Sequence, residues 1–358
     1  MIKVFVDIHV IQSVPPSCLN RDDTGSPKTA IYGGVRRARV SSQAWKRAMR
    51  VSFKEHFAQD KLASRTKQPY LLVAEKMIAL DSSLSLDEAK NMAEKAIGDS
   101  LKKPPKKDIK TNQLSTLLFI SHQQAINLAK LVLEKAAKKE IKQALIDYPG
   151  VEIALFGRMI AEDSDVNCDA CCQVAHAIST HRADTEYDYF TAVDDLAKYT
   201  QDHAGGAHLG TVEFNSSTLY RYSTIAAHNL FKELNNEADA LQKAITEFVR
   251  AFVTSMPTGK QNTFAAFTPP NAVFVSIRTD APINLAGAFE KPVNAGAEGF
   301  VTPSIHKLVE YAQSVYADFA PGPAKGFVVS AGLDELGERV SLEQLLSRVG
   351  GEVAGRLE

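Results

Sequence analysis

A concentration of positive charge between residues 20 and 50 is the feature of the sequence with the clearest chemical meaning. The cationic side chains there are Arg21, Lys28, Arg36, Arg37, Arg39, Lys46, Arg47 and Arg50. Against them stand only Asp22 and Asp23, whereas the whole 358-residue chain is nearly neutral, with 41 Lys and Arg and 42 Asp and Glu. A local basic surface on a balanced background favours an anionic partner, most often a chain of phosphates. A solvated charged helix beside an ordinary loop is the alternative.

A second group of residues, Cys168, Cys171, His176 and His181, raises the question of zinc. Zinc fingers place about a dozen residues between the Cys pair and the His pair, so that the chain can wrap the ion. Only four residues separate Cys171 from His176. The sequence therefore favours reduced, partly buried thiols, and it predicts no metal site and no cofactor.

Residues 184–195, DTEYDYFTAVDD, mix acids with aromatic side chains. The acids are Asp184, Glu186, Asp188, Asp194 and Asp195, which could supply ligands in a two-metal nuclease. Acids at such spacing in a loop are usually just solvated, and this interpretation is favoured. The aromatic residues Tyr187, Tyr189 and Phe190 need a packing partner, and a nucleic-acid base or a neighbouring subunit would serve.

Alternating hydrophobicity and capping residues predict the elements that hold the basic stretch. Residues 2–11 alternate as a strand with one apolar face and one polar or aromatic face, and Pro15-Pro16 ends it. Gly33-Gly34 predicts a turn, and Ser41 and Ser42 are good N-caps for the next helix. That helix has a predicted core face of Trp45, Ala48, Met49 and Phe53 and a cationic face of Lys46, Arg50 and Lys54.

The rest of the chain predicts further helices and strands. Residues 60–149 have helical patterns with capping boxes at Ser85–Glu88 and Ser121–Gln124, the second opening one long helix to about Tyr148. The run KKPPKK (102–107) is typical of a solvated linker, although it could also be a nucleic-acid patch. The other predictions are strands or short connectors at 151–159 and 172–181, a strand at 212–225 within a hairpin-like projection over 182–220, helices at 226–235, 237–255, 285–289, 305–319 and 341–349, and a strand at 272–279.

The amino-acid composition indicates the general class of protein. With 45% hydrophobic and 23% charged residues, the chain is typical of a globular protein. The N-terminus MIKVFVDIHV is not a signal peptide, and there is no run of about eighteen apolar residues, so a cytoplasmic protein without a membrane partner is expected. Gly259-Lys260 lacks the flanking residues of a P-loop, which argues against nucleotide hydrolysis.

Five runs along the chain resemble one protein family, and they follow in that family's order. They are SCLNRDDTGSPKTAIYGGVRRARVSSQAWKRAMR at 17–50, VEIALFGRM at 151–159, QVAHAISTHRADTEYDYFTAVDD at 173–195, GAHLGTVEFNSSTLYRY at 206–222 and GKQNTFAAF at 259–267. The chain thereby resembles the CRISPR Cascade backbone subunit, CasC of the type I-E system, in the repeat-associated RNA-binding superfamily. The resemblance implies an α+β fold with a modified RRM-like (ferredoxin-like) palm, a helical finger insertion and a hairpin-like thumb. The implied ranges are 1–58, 151–181 and 221–358 for the palm, 59–150 for the fingers and 182–220 for the thumb.

The resemblance also implies a function. Such subunits bind CRISPR RNA, polymerise along its spacer with other copies and other Cascade subunits, and present it for pairing with target DNA. Carried over by position, the phosphate-binding palm residues are Arg21, Lys28, Ser41, Gln43, Lys46 and Arg50. The residues at the kinked base are Met159, Tyr189, Phe190 and Thr191. Tyr189 stands where a tryptophan is expected and keeps an aromatic face. The resemblance implies no catalytic residue.

Two other functions stay open from the sequence. Related backbone subunits of other CRISPR types cut target RNA with a loop aspartate, and Asp22 and Asp23 are the candidates by position. Arg21 and the surrounding cations suit binding better than cleavage. A generic RNA-binding or scaffold protein outside CRISPR is the second alternative, which the ordered motifs disfavour.

Overall fold

The computed structural model describes residues 2–192 and 208–358, which are organised around a central, mostly antiparallel sheet. Its strands are β1 (Phe5–Ser17), β2 (Thr29–Tyr32), β3 (Val35–Val40), β6 (Cys172–Val174), β7 (Ala177–Ser179), β8 (Glu186–Ala192), β9 (His208–Ala226), β10 (Ala272–Arg278), β11 (Lys325–Val329) and β12 (Glu338–Arg339), while β4 (Ala63–Thr66) and β5 (Leu118–Ser121) form a separate pair. The helices are α1 (Ser42–His56), α2 (Pro69–Leu80), α3 (Leu86–Ser100), α4 (His122–Leu133), α5 (Lys138–Ile146), α6 (Gly150–Phe156), α7 (Ala227–Glu233), α8 (Ala238–Thr254), α9 (Gln261–Phe264), α10 (Val301–Asp318) and α11 (Leu342–Ala354).

The centre of the sheet has the strand order of a ferredoxin-like domain. β1 lies between β9 and β10, antiparallel to both, and β9 pairs on its other side with β6 and β7. Helix α1 follows β1 and helix α8 precedes β10, so that two split β-α-β units interlock. The sheet then extends through β3 and β2 at one edge and through β11 and β12 at the other. The predicted α+β fold with an RRM-like palm is confirmed.

Strand β1 is longer than the sequence predicted. It continues through Pro15 and Pro16 to Ser17, and its pairing with β9 shifts register between Val14 and Ser17. Both prolines are exposed at that irregularity, where sheets tolerate a residue without an N–H. The prediction that the strand ends at Pro15-Pro16 was therefore wrong.

Helices cover both faces of the sheet. α1, α8 and α11 pack on one face, in a core that includes Phe248. α10 and the short turn Leu285–Phe289 cover the other, in a core that includes Phe274. The polar or aromatic face of β1 consequently lies inside, with Asp7 and His9 both buried.

This closed second face limits where RNA could bind. In RRM domains, aromatic side chains on the open face of the sheet stack on bases. The corresponding aromatic residues here, Tyr220, Tyr222 and Phe274, are buried beneath α10. A nucleic-acid contact must therefore use edges, loops and projections of the domain.

The insertion at residues 59–150 has an apolar core of its own. β4 pairs antiparallel with β5 at its base, and helices α2 to α5 surround the core, which also takes in Ile160 and Val166. The single helix predicted from Ser121 to about Tyr148 is instead two helices, α4 and α5. Between them Lys135 has a φ of 56°, and such a left-handed residue ends a helix.

Residues 150–156 form helix α6, where strands or short connectors were predicted. Val151, Ile153 and Leu155 are buried, and so is Glu152 between them. A short segment buried on all sides has no periodicity that separates a helix from a strand, which explains the error. The companion segment 172–181 does contain short strands, β6 and β7.

Strand β8 and the outer part of β9 form an antiparallel hairpin that projects from the sheet, and β9 then continues into the centre of the domain. This confirms the predicted hairpin-like thumb. Asp194 and Asp195, two of the acids in the run 184–195, lie outside the described residues. Within residues 2–192 and 208–358, no helix has the length and apolar character needed to cross a membrane.

Candidate nucleic-acid interface

The loop before β2 displays Arg21 and uses Asp22 to hold its own shape. The Asp22 carboxylate accepts hydrogen bonds from the backbone N–H groups of Thr24 and Ser26, both at 3.0 Å, and from the Thr24 hydroxyl at 2.8 Å. These bonds, the hydroxyl of Thr24 first, lower the pKa of Asp22. Asp22 is thus a turn-forming residue, and it is exposed like Arg21 and Asp23 on either side of it.

The hairpin of β2 and β3 is fixed to the domain by a buried arginine. Arg37 donates to the carbonyls of Tyr32 (3.1 Å), Ser179 (3.1 Å) and Phe289 (2.8 Å). Gly33, in the turn, has a φ of +57° and lies so close to Glu290 that a Cβ atom would overlap its carbonyl oxygen. Arg37 therefore belongs to the interior, and the basic stretch exposes fewer cations than its sequence suggests.

Helix α1 begins as predicted. The Ser41 hydroxyl accepts from the N–H of Ala44 at 3.3 Å, and the Ser41 N–H donates to the Asn20 side chain at 2.8 Å. Ser41 is buried, while Gln43 in the first turn is exposed. The predicted core residues Trp45, Met49 and Phe53 are fully buried, whereas Ala48 is only partly buried.

Lys46 and Arg50, one turn apart on α1, have different surroundings. The Lys46 ammonium lies 5.8 Å from the centre of the Phe156 ring and makes no ion pair with any described residue. The Arg50 guanidinium donates from Nε to the Glu152 carboxylate at 2.6 Å and from Nη2 to the carbonyl of Ala63 at 3.2 Å. Lys46 is free for an outside anion, whereas Arg50 is bound to the base of the finger insertion.

Glu152 completes this junction. Its other carboxylate oxygen accepts from the N–H of Ala63 at 2.6 Å, and its side chain is only 3% exposed. The Arg50 guanidinium also lies 4.7 Å from the centre of the Phe119 ring. Because Ala63 and Phe119 belong to β4 and β5, this ion pair joins α1 and α6 to the insertion.

Three basic groups meet where β3 approaches β7. Arg39 donates from Nη1 to His176 at 3.1 Å, from Nε to the Thr29 carbonyl at 3.1 Å and from its backbone N–H to the Lys28 carbonyl at 2.9 Å. In the part of the chain that the structure describes, Arg21, Lys28, Arg39 and Lys46 all lack a carboxylate partner. These four cations are therefore available for an outside anion.

Residues 257–264, which end in helix α9, lie between the thumb and the loop that carries Arg21. The ring of Phe264 lies 5.7 Å from that of Phe214, at the base of the thumb hairpin. Gly259 packs against the backbone of Leu19, and a Cβ atom there would lie 2.2 Å from the Leu19 carbonyl oxygen. The thumb base and the Arg21 loop are therefore held on either side of one short segment.

Met159 projects outward because its neighbour is anchored. Arg158 is buried and donates to the carbonyls of Val166, Phe119 and Leu145, and burial lowers its pKa to about 10. Met159 is 81% exposed. An exposed methionine on an anchored segment suits contact with a base or with another chain.

The thumb residues divide between two faces of the hairpin. Opposite residues of antiparallel strands share a face, so Tyr189 and Thr211 lie on one side and Phe190 and Gly210 on the other. The Phe190 ring lies directly against Gly210. Tyr189 is 65% exposed, and Thr191 shares its face and is also exposed.

The model of the family of CT1975-like proteins matches residues 6–348. The chain belongs to this family. It is also similar to a chain of a "CRISPR RNA-guided surveillance complex, pre-nicking", at 31% identity over 98% of this chain and 100% of that one, with a TM-score of 0.84. A second solved "CRISPR RNA-guided surveillance complex" contains a chain that is 29% identical over 97% of this chain and 99% of that one, with a TM-score of 0.64. No curated protein sequence matches.

In this CT1975-like protein, the structure exposes most of the residues named from sequence. Arg21, Gln43, Met159, Tyr189 and Thr191 are exposed, while Lys28, Lys46 and Arg50 are partly buried and Ser41 is buried. Tyr187, which the sequence singled out as an aromatic residue in need of a packing partner but not as a residue at the kinked base, is 67% exposed on the Tyr189 face. The contact between Arg39 and His176 was not predicted, because the two residues lie 137 positions apart in the chain.

The four residues weighed as zinc ligands are dispersed in the CT1975-like fold. Cys171 is buried, His176 accepts from Arg39, and the His181 ring is buried, where it accepts from the N–H of Thr218 at 3.0 Å. Burial raises the pKa of both Cys168 and Cys171 to about 12. Among the described residues, no three His, Cys, Asp or Glu side chains are grouped as metal ligands.

Proposed function

We propose that this CT1975-like protein is a Cascade-type backbone subunit that binds CRISPR RNA and polymerises along its spacer. The observation that carries the proposal is the set of palm cations that lack a carboxylate partner in the described ranges, Arg21, Lys28, Arg39 and Lys46, together with a projecting aromatic hairpin. The similarity to chains of RNA-guided surveillance complexes supports the same conclusion. The finer assignment to the type I-E system, and the cytoplasmic location without a membrane partner, remain part of the proposal.

The palm binds the sugar-phosphate backbone and leaves the bases available. Cations without an internal carboxylate gain most from a phosphate, because no ion pair must be broken first. Gln43 and the exposed first turn of α1 add hydrogen-bond donors beside them. Contacts of this kind are independent of sequence, so that base pairing between guide RNA and target DNA supplies the specificity.

The thumb works between subunits. Its Tyr189 face stacks on the base at the kink, with Met159 of the palm on the other side, and its Phe190 face contributes to the contact with the next copy. Head-to-tail contacts of one surface with a different surface generate an open helix of copies. Other Cascade subunits are the further partners of this assembly.

The proposal includes no catalytic activity. The alternative, a guide-dependent ribonuclease, would use Asp22 or Asp23. The Asp22 carboxylate already accepts hydrogen bonds from Thr24 and Ser26, and among the described residues neither Asp22 nor Asp23 belongs to a group of three His, Cys, Asp or Glu side chains that could hold a metal ion. Target RNA incubated with the assembled complex and Mg²⁺ should stay intact. Cleavage that disappears in Asp23→Ala would establish the ribonuclease instead.

The direct test is to co-express the protein with its operon partners and size the RNA that co-purifies. RNA of one uniform length in complex with several copies of the chain is expected. Absence of RNA from the assembled complex, or RNA of random length, would contradict the proposal. Phe190→Ala should yield shorter or looser assemblies on a guide of fixed length, measured by the mass of the complex.

A further inference from the structure

The contact between Arg39 and His176 defines the protonation state of the histidine. An arginine side chain can only donate, so Nδ1 of His176 is the acceptor, and in the neutral ring the hydrogen is on Nε2. Arg39 is itself fixed by its bonds to the Thr29 and Lys28 carbonyls. His176 lies on an exposed turn between β6 and β7, so Nε2–H is a candidate donor to an outside group.

In the described ranges, the charged groups found to act on His176 are positive. Arg39 approaches it from β3 and Lys28 from the loop before β2. Partial burial, followed by the charges of Arg39 and Lys28, lowers the pKa of His176. None of the three side chains forms an ion pair with a carboxylate in the described ranges. Protonation of His176 would therefore place a third cation in a cluster without an acid.

We propose that Lys28, Arg39 and His176 form a subsite for one phosphate of the guide backbone, and that His176 takes up a proton from water when the phosphate binds. This inference rests on the proposed function and assigns Arg39 and His176 to it. The incoming phosphate supplies the missing negative charge. Protonated His176 no longer accepts from Arg39, so Nη1 of Arg39 is released to the phosphate, and one internal hydrogen bond is replaced by charge-assisted bonds to the ligand.

The linkage has a definite sign. The free protein holds His176 neutral near pH 7, and the bound phosphate favours the charged ring. Binding therefore consumes up to one proton, and RNA affinity rises as the pH falls from about 8 to about 6. The palm cations that do not titrate in this range contribute a constant background.

The experiment measures the affinity of the full chain for single-stranded guide RNA at pH 6 and pH 8 at fixed ionic strength. Wild type should bind about three- to tenfold more tightly at pH 6. His176→Gln keeps a group that accepts from Arg39 but cannot titrate, so its affinity for RNA should be the same at pH 6 and pH 8. Calorimetry in two buffers of different ionisation enthalpy should show proton uptake by wild type and none by His176→Gln.

Two further variants complete the test. His306→Gln, at an exposed histidine of α10, is the matched control and should keep the wild-type pH dependence. Arg39→Lys keeps the positive charge but not the planar set of guanidinium N–H donors. It should weaken RNA binding and reduce proton uptake, while the midpoint of thermal unfolding stays close to that of wild type. Retention of the full pH dependence by His176→Gln would overturn the subsite. Absence of RNA binding by wild type at both pH values would instead overturn the proposed function.

Discussion

The finger insertion and the palm are both rich in lysine and arginine, but they differ in what faces those charges. At the insertion, Lys102 and Lys142 converge on Asp163 and Asp165, with distances of 2.6 Å from Lys102 to Asp165 and 2.7 Å from Lys142 to Asp163. On the palm, Arg21, Lys28, Arg39 and Lys46 lack such partners in the described ranges. The lysines of the insertion therefore stabilise its own structure, whereas these cations of the palm are available for an external anion.

The difference shows that a count of charges in sequence does not locate a binding surface. The run KKPPKK illustrates this, because Lys102 pairs with the Asp163–Asp165 turn and Lys107 pairs with Glu94. Two acidic partners of Lys102 lie about sixty residues away along the chain, so no local pattern reveals them. Pairing in three dimensions decides which cations are available, and α1 contains both kinds in Lys46 and Arg50.

The largest expected effect comes from removing Glu152, the carboxylate that pairs with Arg50. Glu152→Ala leaves Arg50 without its counter-ion and the N–H of Ala63 without an acceptor. We expect a loss of about 3 kcal/mol in the free energy of unfolding, measured by chemical denaturation. Glu55→Ala, on the exposed face of α1, is the control and should change stability by less than about 0.5 kcal/mol. A loss below about 1 kcal/mol for Glu152→Ala would show that the junction is not structural.

The next effect concerns the buried carboxyl group of Asp7. Asp7 accepts from the Tyr222 hydroxyl at 3.0 Å and from the N–H of Ile283 at 2.8 Å, and burial raises its pKa from 3.8 to about 6. Because the pKa of Asp7 is higher in the folded than in the unfolded chain, the protonated carboxyl group stabilises the folded state. This stabilisation is complete below about pH 4 and is lost as the pH rises through about 6. Asp7→Asn should remove a pH-dependent contribution of about 3 kcal/mol across this window. Urea unfolding of both proteins at pH 4.5 and pH 7 should capture about 2 kcal/mol of it, and identical pH profiles would contradict the assignment.

Some of these features could be predicted from the sequence, and others could not. The cap at Ser41 and the core face of α1 were predictable, because capping and helical periodicity are local. The roles of Arg37 and Arg50 were not, since their partners at Ser179 and Glu152 are more than a hundred residues away. The closed face of β1 was equally hidden, because α10 covers it from the opposite end of the chain.

Measurements of RNA binding test the palm cations that lack a carboxylate partner in the described ranges. Lys46→Ala should weaken RNA binding for every sequence alike and lower the slope of log K against log salt by about 0.7. Lys142→Ala is the matched control, because the same residue type is paired with Asp163 at the insertion. It should leave both affinity and slope unchanged. Equal effects of the two substitutions would mean that pairing does not decide which lysines bind RNA.

The smallest effect distinguishes aromatic from ionic contributions. Tyr189→Ala should cost about 1 kcal/mol of binding free energy through lost base stacking. The salt slope should stay at its wild-type value, since no counter-ion is released by an uncharged ring. Phe319→Ala, an exposed aromatic residue just after α10, is the control and should leave affinity unchanged. A lower salt slope in Tyr189→Ala would show that the thumb acts by positioning the palm cations, because only a lost phosphate contact changes the number of counter-ions released.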